Sequence, residues 1–559
     1  MAWFNENQNL NAIKNNPIAF KWMNSNKLSD NYKKFIFEMS ENEINKYFSD
    51  TKMTFGTAGI RSTVGPGTNQ MNLFTYQQMS EGVAKWLLSL QKEEITVIVG
   101  HDTRKNADYY AMVVAKVLSS FGIKVFLYKD NQFKATPIVS FSIKETNADA
   151  AIVVTASHNP KNYLGFKVYN STGGQILDQE AQTIVDNMPD NINILDNTYQ
   201  ENKDLINYFD DSIVESYFNA CCKCLIHTNV YESKLFPVVF TGHHGTSCYD
   251  LPYLLKSLGY DNVVSVVQQN KPDPNFTYSP SFNPEEKNSF ALALKYAQKT
   301  NANIMLGLDP DADRLAVVVK HKNKWHYLTG NQMGIIFTHY GLTQKQFEKT
   351  PFVVSTYVST NYIDKIAKEF NANVYRTPTG FKWMGAKMSQ HIQNEDFVVA
   401  FEEAIGSLNS DIGLDKDGFQ AAALVLEIYD ILQQDDKTLI DYLYSIYEEF
   451  GYWKGETVSY RIESLNWKEE MQTKFEQFKK FKQKEKVKDI LGLQIKQITW
   501  NEDAKALEWH LQNDMWIKFR LSGTEPKFKI YFEIYGNSLE DCDAWLTALK
   551  NEFEILMHS

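Results

Sequence analysis

The chain has 559 residues, of which 43% are hydrophobic and 22% charged, so it has enough apolar material for three or four globular domains. A formal net charge of −11 argues against nucleic acid as a partner, although small phosphorylated ligands need only a local basic pocket. The sequence contains no signal-peptide pattern and no apolar run of about 18 residues, so we expect a cytoplasmic protein without a membrane span.

The first half of the chain alternates between β-branched strands and helices, after a polar and helical segment of about 50 residues. Such alternation predicts a mostly parallel sheet covered by helices, with the chemistry in the loops that follow the strands. The predicted strands span 95–100, 123–129 and 150–155, and the predicted helices span 75–90, 106–121 and 137–146.

Two further β/α units repeat this architecture with little sequence identity, and a smaller α+β region follows. Strands are predicted at 236–241, 304–308, 352–356, 373–376 and 397–401, with helices at 285–299 and 360–369. The last region combines helices at 466–485 and 538–553 with strands at 516–521 and 529–535. We therefore predict an α/β protein of three similar mixed-sheet domains and a smaller C-terminal α+β domain around a central cleft. The predicted domains span residues 1–204, 205–322, 323–445 and 446–559.

A polar loop follows the first of three buried-type strands. The apolar run Ala150–Val154 precedes Thr155-Ala156-Ser157-His158-Asn159-Pro160. Pro160 stops regular structure, so Ser157 and His158 stand where open α/β sheets place their chemistry. Ser157 is the candidate for the reacting atom, although a plain Ser- and Asn-rich turn is the alternative. The Gly-x-Ser-x-Gly pattern of serine hydrolases is absent.

Three aspartates alternate directly after a second such strand, in Asp309-Pro310-Asp311-Ala312-Asp313-Arg314. Carboxylates this close repel each other unless a cation holds them, and oxygen-only ligands favour Mg²⁺, Ca²⁺ or Mn²⁺. An EF-hand is excluded because Arg314 stands where that loop needs glycine. A phosphate on Ser157 would add a further oxygen ligand, which favours phosphoryl transfer. A solvated acidic turn and an Asp-x-Asp nucleophile are the alternatives.

Other loops offer candidate binding groups. A Gly-punctuated loop ends in Arg61, which could reach an anion, and Lys167 is a candidate general acid–base if its surroundings lower its pKa. Glu402 and Glu403 could bind sugar hydroxyls or simply favour a helix start. Arg520–Lys527 combines an arginine, two hydroxyls, a glycine amide and a lysine, a set suited to phosphate, although it is not a P-loop.

These motifs are spread over nearly the whole chain. The set comprises Thr155–Pro160, Asp309–Arg314, Gly380-Phe381-Lys382, the Glu402-Glu403 loop and Arg520-Leu521-Ser522-Gly523-Thr524-Glu525-Pro526. It resembles the α-D-phosphohexomutases, a family that includes phosphoglucomutases and phosphomannomutases. The resemblance implies four domains around a deep cleft, one Mg²⁺ per chain, and a serine that is phosphorylated in the active enzyme.

With this resemblance, the candidate site residues fall into three groups. The candidate catalytic residues are Ser157, His158, Lys167, Arg61 and Arg314. The candidate metal ligands are Asp309, Asp311, Asp313 and the phosphate of Ser157. The candidate substrate-binding residues are Thr379, Gly380, Lys382, Glu402, Glu403, Arg520, Ser522, Gly523, Thr524 and Lys527.

The resemblance implies a mutase that interconverts hexose 1-phosphate and hexose 6-phosphate, with glucose, mannose or both as the sugar. The reaction would pass through a phosphoserine and a bisphosphorylated sugar, and a sugar bisphosphate such as glucose 1,6-bisphosphate would prime it. The expected partners are small-molecule sugar phosphates, without nucleic acid or membrane. We expect a monomer or a homodimer.

One departure from the family pattern concerns the sugar. The family's sugar loop usually has Glu-x-Ser, whereas this chain has Glu402-Glu403-Ala404 and lacks the hydroxyl. The surrounding residues resemble the branch that contains phosphopentomutases and bisphosphate-sugar synthases. A phosphopentomutase acting on ribose or deoxyribose 1-phosphate is therefore one alternative, and a non-catalytic sugar-phosphate binding protein is another.

Overall fold

The computed structural model describes residues 2–227, 234, 236–461, 467–481, 489–521 and 527–558. The chain divides into two compact units. Unit 1 contains Met1–Lys320 and Gly406–Glu427, and unit 2 contains His321–Ile405 and Ile428–Ser559. No helix in the described ranges is both long and apolar enough to cross a bilayer.

The polar N-terminal segment of unit 1 forms four helices, as its composition predicts. They are α1 (Ala2–Asn15), α2 (Pro17–Asn24), α3 (Asp30–Glu38) and α4 (Glu41–Tyr47). The side chains of Asn16, Ser29 and Ser40 accept hydrogen bonds from the first-turn amides and so start three of these helices. Trp22 is fully buried, and its ring packs edge-on against Phe48. The helices therefore share a core with the first sheet domain.

The first sheet of unit 1 is mixed. Its strands are β1 (Ile60–Thr63), β2 (Thr96–His101), β3 (Lys124–Leu127), β4 (Ala150–Val154), β5 (Tyr163–Asn170) and β6 (Ile206–Tyr208). Its helices are α5 (Leu73–Leu88), α6 (Ala107–Ser120), α7 (Thr136–Thr146) and α8 (Asp178–Asn187). The strand order is β1-β5-β4-β2-β3-β6, in which β4, β2, β3 and β6 run parallel. β5 returns antiparallel to β4, because the Ser157 loop is too short for a crossover helix.

In the second sheet of unit 1, the aspartate loop likewise joins two neighbouring antiparallel strands. Its strands are β7 (Val238–Thr241), β8 (Val263–Ser265), β9 (Ile304–Leu308) and β10 (Leu315–His321), with α9 (Ser212–Cys221), α10 (Ser247–Ser257) and α11 (Ala291–Thr300). β7 is parallel to β8 and β9, whereas β10 returns antiparallel to β9. The helix predicted at 285–299 is shorter at its start, because Lys287–Phe290 form a 3₁₀ turn.

Unit 2 contains a parallel sheet and a C-terminal antiparallel sheet. The next elements are β11 (Lys324–Tyr327), α12 (Gly330–Gln344), β12 (Pro351–Thr356), α13 (Tyr362–Glu369), β13 (Asn373–Thr377), α14 (Phe381–His391) and β14 (Asp396–Phe401). β15 (Ser407–Leu408) and the first part of α15 (Gly418–Gln433) belong to the second segment of unit 1, and α16 (Leu439–Phe450) lies in unit 2. β12 pairs in parallel with both β13 and β14, so the polar residues after these strands lie at one sheet edge.

The C-terminal sheet has the order β16-β21-β20-β19-β18-β17 and is antiparallel. Its elements are β16 (Tyr452–Arg461), α17 (Trp467–Lys479), β17 (Asp489–Ile490), β18 (Leu493–Asn501), β19 (Ala506–Leu511), β20 (Trp516–Leu521), β21 (Lys527–Gly536) and α18 (Leu539–His558). The helix predicted at 466–485 ends at Lys479, and residues 482–488 lie outside the described residues. The predicted α/β class with a smaller C-terminal α+β domain is confirmed, and the four predicted domain boundaries stay predictions.

Candidate active site

Ser157 lies in the loop that joins β4 to β5. Its backbone is left-handed, with φ at +50°, a conformation that residues other than glycine rarely adopt. Its amide donates to Thr155 Oγ1 over 2.9 Å, and its side chain is buried. Ser157 Oγ donates to Asp309 Oδ2 over 3.0 Å and lies 3.2 Å from His158 Nδ1. The structure thus joins two loops that are far apart in the sequence.

Asp309, Asp311 and Asp313 form one buried acidic cluster in the turn between β9 and β10. One carboxylate oxygen from each lies within 4.8 Å of the other two, and all three side chains are buried. Burial and the charges of Asp311 and Asp313 raise the pKa of Asp309 well above its usual range. Among the described residues, Asp311 Oδ1 and Asp313 Oδ1 have no hydrogen-bond partner. Unpaired buried carboxylate oxygens in an all-oxygen cluster fit a hard divalent cation.

Lys167 extends from β5 into the same cluster. Its ammonium donates to Asp311 Oδ2 over 2.6 Å and to Asp313 Oδ2 over 2.9 Å, with no exposure to solvent. Burial acts to lower its pKa, but the two carboxylates outweigh burial and raise it. The condition set from the sequence, a lowered pKa, is therefore not met. The reason is that β5 turns back beside β4 and brings Lys167 onto the aspartates.

Three further candidates surround the Ser157 loop. Arg61 on β1 donates from Nη1 to Asn159 Oδ1 over 2.9 Å. The amide of Arg314 donates to Asp309 Oδ1 over 3.1 Å, and its guanidinium lies 3.8 Å from Asp313. Burial and the positive charges of Arg314 and Arg61 lower the pKa of His158 well below its usual range. His158 therefore carries a neutral imidazole beside Ser157 at neutral pH.

Sequence reasoning missed Lys416, a buried lysine in the segment Gly406–Glu427 of unit 1. Its ammonium lies 3.4 Å from Asp313 Oδ2 and 3.3 Å from Asp415 Oδ1. Asp415 in turn accepts hydrogen bonds from Tyr169 over 2.7 Å and from Gln175 over 2.8 Å. Together with Lys167 and Arg314, Lys416 overcomes burial and lowers the pKa of Asp313. The alternating Asp415-Lys416-Asp417-Gly418 run is the only sequence signal for it, and such runs are common on surfaces.

The sugar-loop candidates lie in unit 2, at the edge where β12, β13 and β14 end. The amide of Gly380, just before α14, donates to Glu402 Oε1 over 3.1 Å. Glu403 Oε2 accepts from Thr356 Oγ1 and Ser359 Oγ, each over 3.3 Å. A Cβ on Gly330 would meet the carbonyl oxygen of Glu403 at 2.4 Å. Backbone contacts and hydroxyl groups of neighbouring segments therefore hold the Glu402-Glu403 loop in place.

The remaining substrate-binding candidates of unit 2 are only partly covered by the structure. Thr379 is half-buried, and Lys382 lies on the first turn of α14 with its ammonium 5.3 Å from the Trp383 ring. Arg520 and Lys527 are half-buried on β20 and β21. Ser522, Gly523 and Thr524 lie outside the described residues.

Tyr531 lies on β21, where the charges of both the sugar loop and Arg520 act on its hydroxyl. Its side chain is 2% exposed and belongs to a buried cluster with Val358 and Trp516. Burial and the charge of Glu403 raise the pKa of its phenol, whereas Arg520 acts in the opposite direction. The charges of Glu403 and Arg520 therefore both act on one phenol. The sequence did not single out this tyrosine, because it lies inside an ordinary strand pattern.

Three family models match successive parts of the chain. They are described as phosphoglucomutase/phosphomannomutase, alpha/beta/alpha domains I, II and III. Domain I matches residues 52–193, domain II residues 215–323 and domain III residues 329–450. Together they cover more than half of the sequence and include the Ser157, Asp309 and Glu402 loops.

Curated relatives match over nearly their whole length. A phosphomannomutase of Mycoplasmoides pirum is 41% identical over 546 residues, which is 97% of this chain and 100% of the relative. A phosphoglucomutase of Staphylococcus aureus strain N315 is 31% identical over 545 residues, covering 93% of this chain and 96% of the relative. The names of these two relatives are those of hexose phosphate mutases, so the phosphopentomutase alternative is not favoured.

Solved structures share the fold. The open form of parafusin, a phosphoglucomutase from Paramecium, has a TM-score of 0.69 at 18% identity, covering 91% of this chain and 95% of that one. A phosphoglucomutase/phosphomannomutase family protein from Burkholderia thailandensis has a TM-score of 0.66 at 17% identity, covering 91% and 97%. The first two family models span the buried Ser157 and aspartate loops, and the relatives match nearly the whole chain. This chain belongs to the phosphoglucomutase/phosphomannomutase family.

Proposed function

We propose that this chain is a phosphosugar mutase that interconverts hexose 1-phosphate and hexose 6-phosphate through a phosphorylated Ser157. The observation that carries the proposal is the 3.0 Å contact between Ser157 Oγ and Asp309 Oδ2, inside a buried triad of carboxylates. A catalytically silent binder would need neither a buried serine nor a buried carboxylate cluster at the end of its strands. The relatives named phosphomannomutase and phosphoglucomutase support mannose and glucose as the sugars.

Asp309, Asp311 and Asp313, with the phosphate of Ser157, would hold one Mg²⁺ per chain. The unpaired oxygens of Asp311 and Asp313 support this assignment. When bound, the cation would offset the negative charge at the phosphate and polarise the phosphorus. Lys167 and Lys416, on the other side of the carboxylates, keep the cluster from carrying three uncompensated charges.

The reaction transfers one phosphoryl group twice. A hydroxyl oxygen of the sugar monophosphate attacks the phosphorus on Ser157, the bond from phosphorus to Ser157 Oγ breaks, and the sugar becomes a bisphosphate. The sugar then reverses its orientation, Ser157 Oγ attacks the other phosphate, and the isomeric monophosphate leaves. The proton released by each attacking hydroxyl needs an acceptor at the loop. The neutral imidazole of His158, 3.2 Å from Ser157 Oγ, would accept this proton and return it to the oxygen that leaves in the same step. Lys167, whose ammonium already donates to Asp311 and Asp313, would hold these carboxylates in place rather than accept a proton.

Unit 2 would recognise the sugar and the phosphate that does not react. Glu402 and Glu403 would accept hydrogen bonds from sugar hydroxyls, beside Thr379, Gly380 and Lys382. Arg520 and Lys527, with Ser522, Gly523 and Thr524, would bind the distal phosphate in either orientation of the intermediate. Ala404 removes a hydroxyl from the sugar loop, so we expect recognition of the hexose to rest on the two glutamates.

A substrate comparison tests the proposal. Purified protein, Mg²⁺ and a catalytic trace of glucose 1,6-bisphosphate would be mixed with mannose, glucose or ribose 1-phosphate and followed by ³¹P NMR. We expect the 6-phosphates of mannose and glucose to form, with the ribose compound converted at least about tenfold more slowly. Release of inorganic phosphate without an isomer would overturn the proposal, and fastest conversion of ribose 1-phosphate would overturn the hexose assignment.

A further inference from the structure

The loop that follows β2 carries a buried ion pair for which the proposed reaction has no role. Asp102 and Arg104 are 1% and 3% exposed, in the sequence His101-Asp102-Thr103-Arg104. Arg104 Nε donates to Asp102 Oδ2 over 3.1 Å, and the Arg104 amide donates to Asp102 Oδ1 over 2.9 Å. The carboxylate of Asp102 therefore fixes both the backbone and the guanidinium of Arg104.

The guanidinium of Arg104 is aimed at the main chain of the Ser157 loop. Nη2 donates to the carbonyl oxygens of Ser157 and Asn159 over 2.6 and 2.5 Å. Nη1 donates to the carbonyl oxygens of Pro160 and Tyr163 over 2.8 and 3.1 Å. A guanidinium has five N–H donors. Together with the bond to Asp102, these contacts use all of them, so Arg104 has no donor left for a substrate.

The same pair holds Ser157 from its other side. Thr155 Oγ1 donates to Asp102 Oδ2 over 2.7 Å and accepts the Ser157 amide over 2.9 Å. Thus Asp102 reaches the Ser157 amide through Thr155, and Arg104 bonds its carbonyl oxygen directly. Ser157 needs this support because its left-handed backbone, with φ at +50°, is disfavoured for a residue with a side chain.

We propose that Arg104, oriented by Asp102, is a positioning residue that keeps Ser157 in its left-handed conformation and its Oγ against Asp309. The inference rests on the proposed function only for its effect on turnover, because the hold on the loop is independent of catalysis. Arg104 does not touch the substrate, so its loss lowers the rate of phosphoryl transfer and leaves affinity for the sugar phosphate in place.

The test compares Arg104→Lys with a matched control. Lysine keeps the charge, but a single ammonium cannot span four carbonyl oxygens. Asn191→Ala is the control, since Asn191 is 1% exposed and donates to the carbonyl oxygens of Ser49 and Thr51, away from the Ser157 loop. Each protein is measured by hydrogen exchange of the peptide covering residues 155–163 and by steady-state kinetics with mannose 1-phosphate.

We expect Arg104→Lys to speed hydrogen exchange in residues 155–163 at least about tenfold and to lower kcat by about 10²-fold, with KM within about twofold of wild type. Asn191→Ala should leave both the exchange of this peptide and kcat within about twofold. Unchanged exchange in folded Arg104→Lys would overturn the inference, whether or not the wild type is a mutase. A rise in KM with kcat unchanged would overturn it as well, since that pattern marks a substrate contact.

A second variant guards against misfolding of the first. Asp102→Asn keeps the shape of the side chain but removes the charge that orients the guanidinium. It should speed exchange of the same peptide and lower kcat in the same direction. If Asp102→Asn matches the wild type in both measurements, Arg104 is not oriented by Asp102 and the inference is wrong. An inactive wild type would contradict the proposed function alone, and the exchange data would still decide the role of Arg104.

Discussion

The charged groups of the two candidate regions lie in different surroundings. Around Ser157 in unit 1, Lys167, Asp311 and Asp313 are at most 2% exposed and are joined by ion pairs of 2.6 to 2.9 Å. In unit 2, Glu403 and Arg520 are half-buried, and among the described residues Glu403 is held by hydroxyl groups rather than by a lysine or arginine at ion-pair distance. The first arrangement suits a reaction that needs fixed atoms, and the second suits a ligand that must bind in two orientations.

The difference also sets the size of the effects that substitutions should have. Removing one partner of a buried ion pair leaves a desolvated charge and costs about 3–5 kcal/mol, whereas an exposed pair contributes about 0–1 kcal/mol. Changes to the buried ion pairs of unit 1 should therefore act on catalysis and on stability together. Changes at the half-buried groups of unit 2 should act mainly on binding.

The largest expected effect follows from Ser157→Ala. The variant loses the oxygen that carries the phosphoryl group, so we expect mutase activity to fall by at least about 10⁴-fold. Its melting temperature should change by only a few degrees, because one hydroxyl is removed. Ser142→Ala is the control, since Ser142 is equally buried and, among the described residues, its hydroxyl bonds Tyr128 and its own helix. Normal activity in Ser157→Ala would exclude the serine as phosphoryl carrier.

A smaller loss should follow from Asp311→Asn. This change removes a proposed metal ligand and one of the two carboxylates that hold Lys167. We expect kcat to fall by about 10²–10³-fold and the free energy of unfolding to fall by about 3 kcal/mol. Activity and urea unfolding would be measured beside Asp364→Asn, which breaks the more exposed pair with Arg376. Equal effects of the two variants on stability would contradict the contrast in burial.

In the sugar loop, Glu402→Gln should change affinity more than rate. The glutamine side chain keeps an oxygen that can accept the backbone N–H of Gly380, so the loop should stay in place. One charged acceptor for a sugar hydroxyl is lost. We expect KM for mannose 1-phosphate to rise about tenfold, with kcat reduced less. Glu369→Gln, on the exposed end of α13, provides the control. A fall in kcat at constant KM would instead place Glu402 in the chemical step.

A further prediction concerns a buried histidine of unit 2, His339, whose Nε2 lies 3.9 Å from Glu449 Oε2. Burial lowers the pKa of His339 to about 4, and its Nδ1 lies 2.7 Å from the Tyr442 hydroxyl. Between pH 6.5 and 4, His339 is protonated in the unfolded chain but not in the folded chain. The free energy of unfolding therefore has its full value above pH 6.5 and decreases as the pH is lowered below 6.5. From pH 7 to 5 the wild type should lose about 2 kcal/mol more than His339→Gln. Urea unfolding at the two pH values measures this difference. An equal loss of unfolding free energy in the wild type and in His339→Gln would refute the lowered pKa of His339.

Local patterns were enough to predict where the chemistry lies. An apolar run that ends in Ser157, and another that ends in Asp309, predict the end of a buried strand followed by a polar loop, because both features depend on neighbouring residues only. The third run, before Glu402, predicts its loop for the same reason. The strands at all three places lie within one or two residues of the predicted bounds.

Contacts between distant segments could not be predicted in this way. Nothing near Arg104 in the sequence shows that its guanidinium bonds the carbonyl oxygens of residues 157–163, and nothing near Lys416 shows its approach to Asp313. The sequence made Lys167 a candidate acid–base only on the condition that its surroundings lower its pKa, and its own strand does not show what those surroundings are. The antiparallel return of β5 adds the two carboxylates that reverse the direction.

The proposed mutase reaction depends on Ser157 carrying the phosphoryl group between the two positions of the sugar. The most direct measurement incubates the protein with glucose 1,6-bisphosphate labelled with ³²P, locates the label by peptide mass spectrometry, and then adds unlabelled mannose 1-phosphate. We predict up to one phosphate per chain, on the peptide that contains Ser157, and its loss to a sugar bisphosphate when the monophosphate is added. Label on an aspartate of the Asp309 loop, or isomer formation by protein that never becomes labelled, would contradict the account.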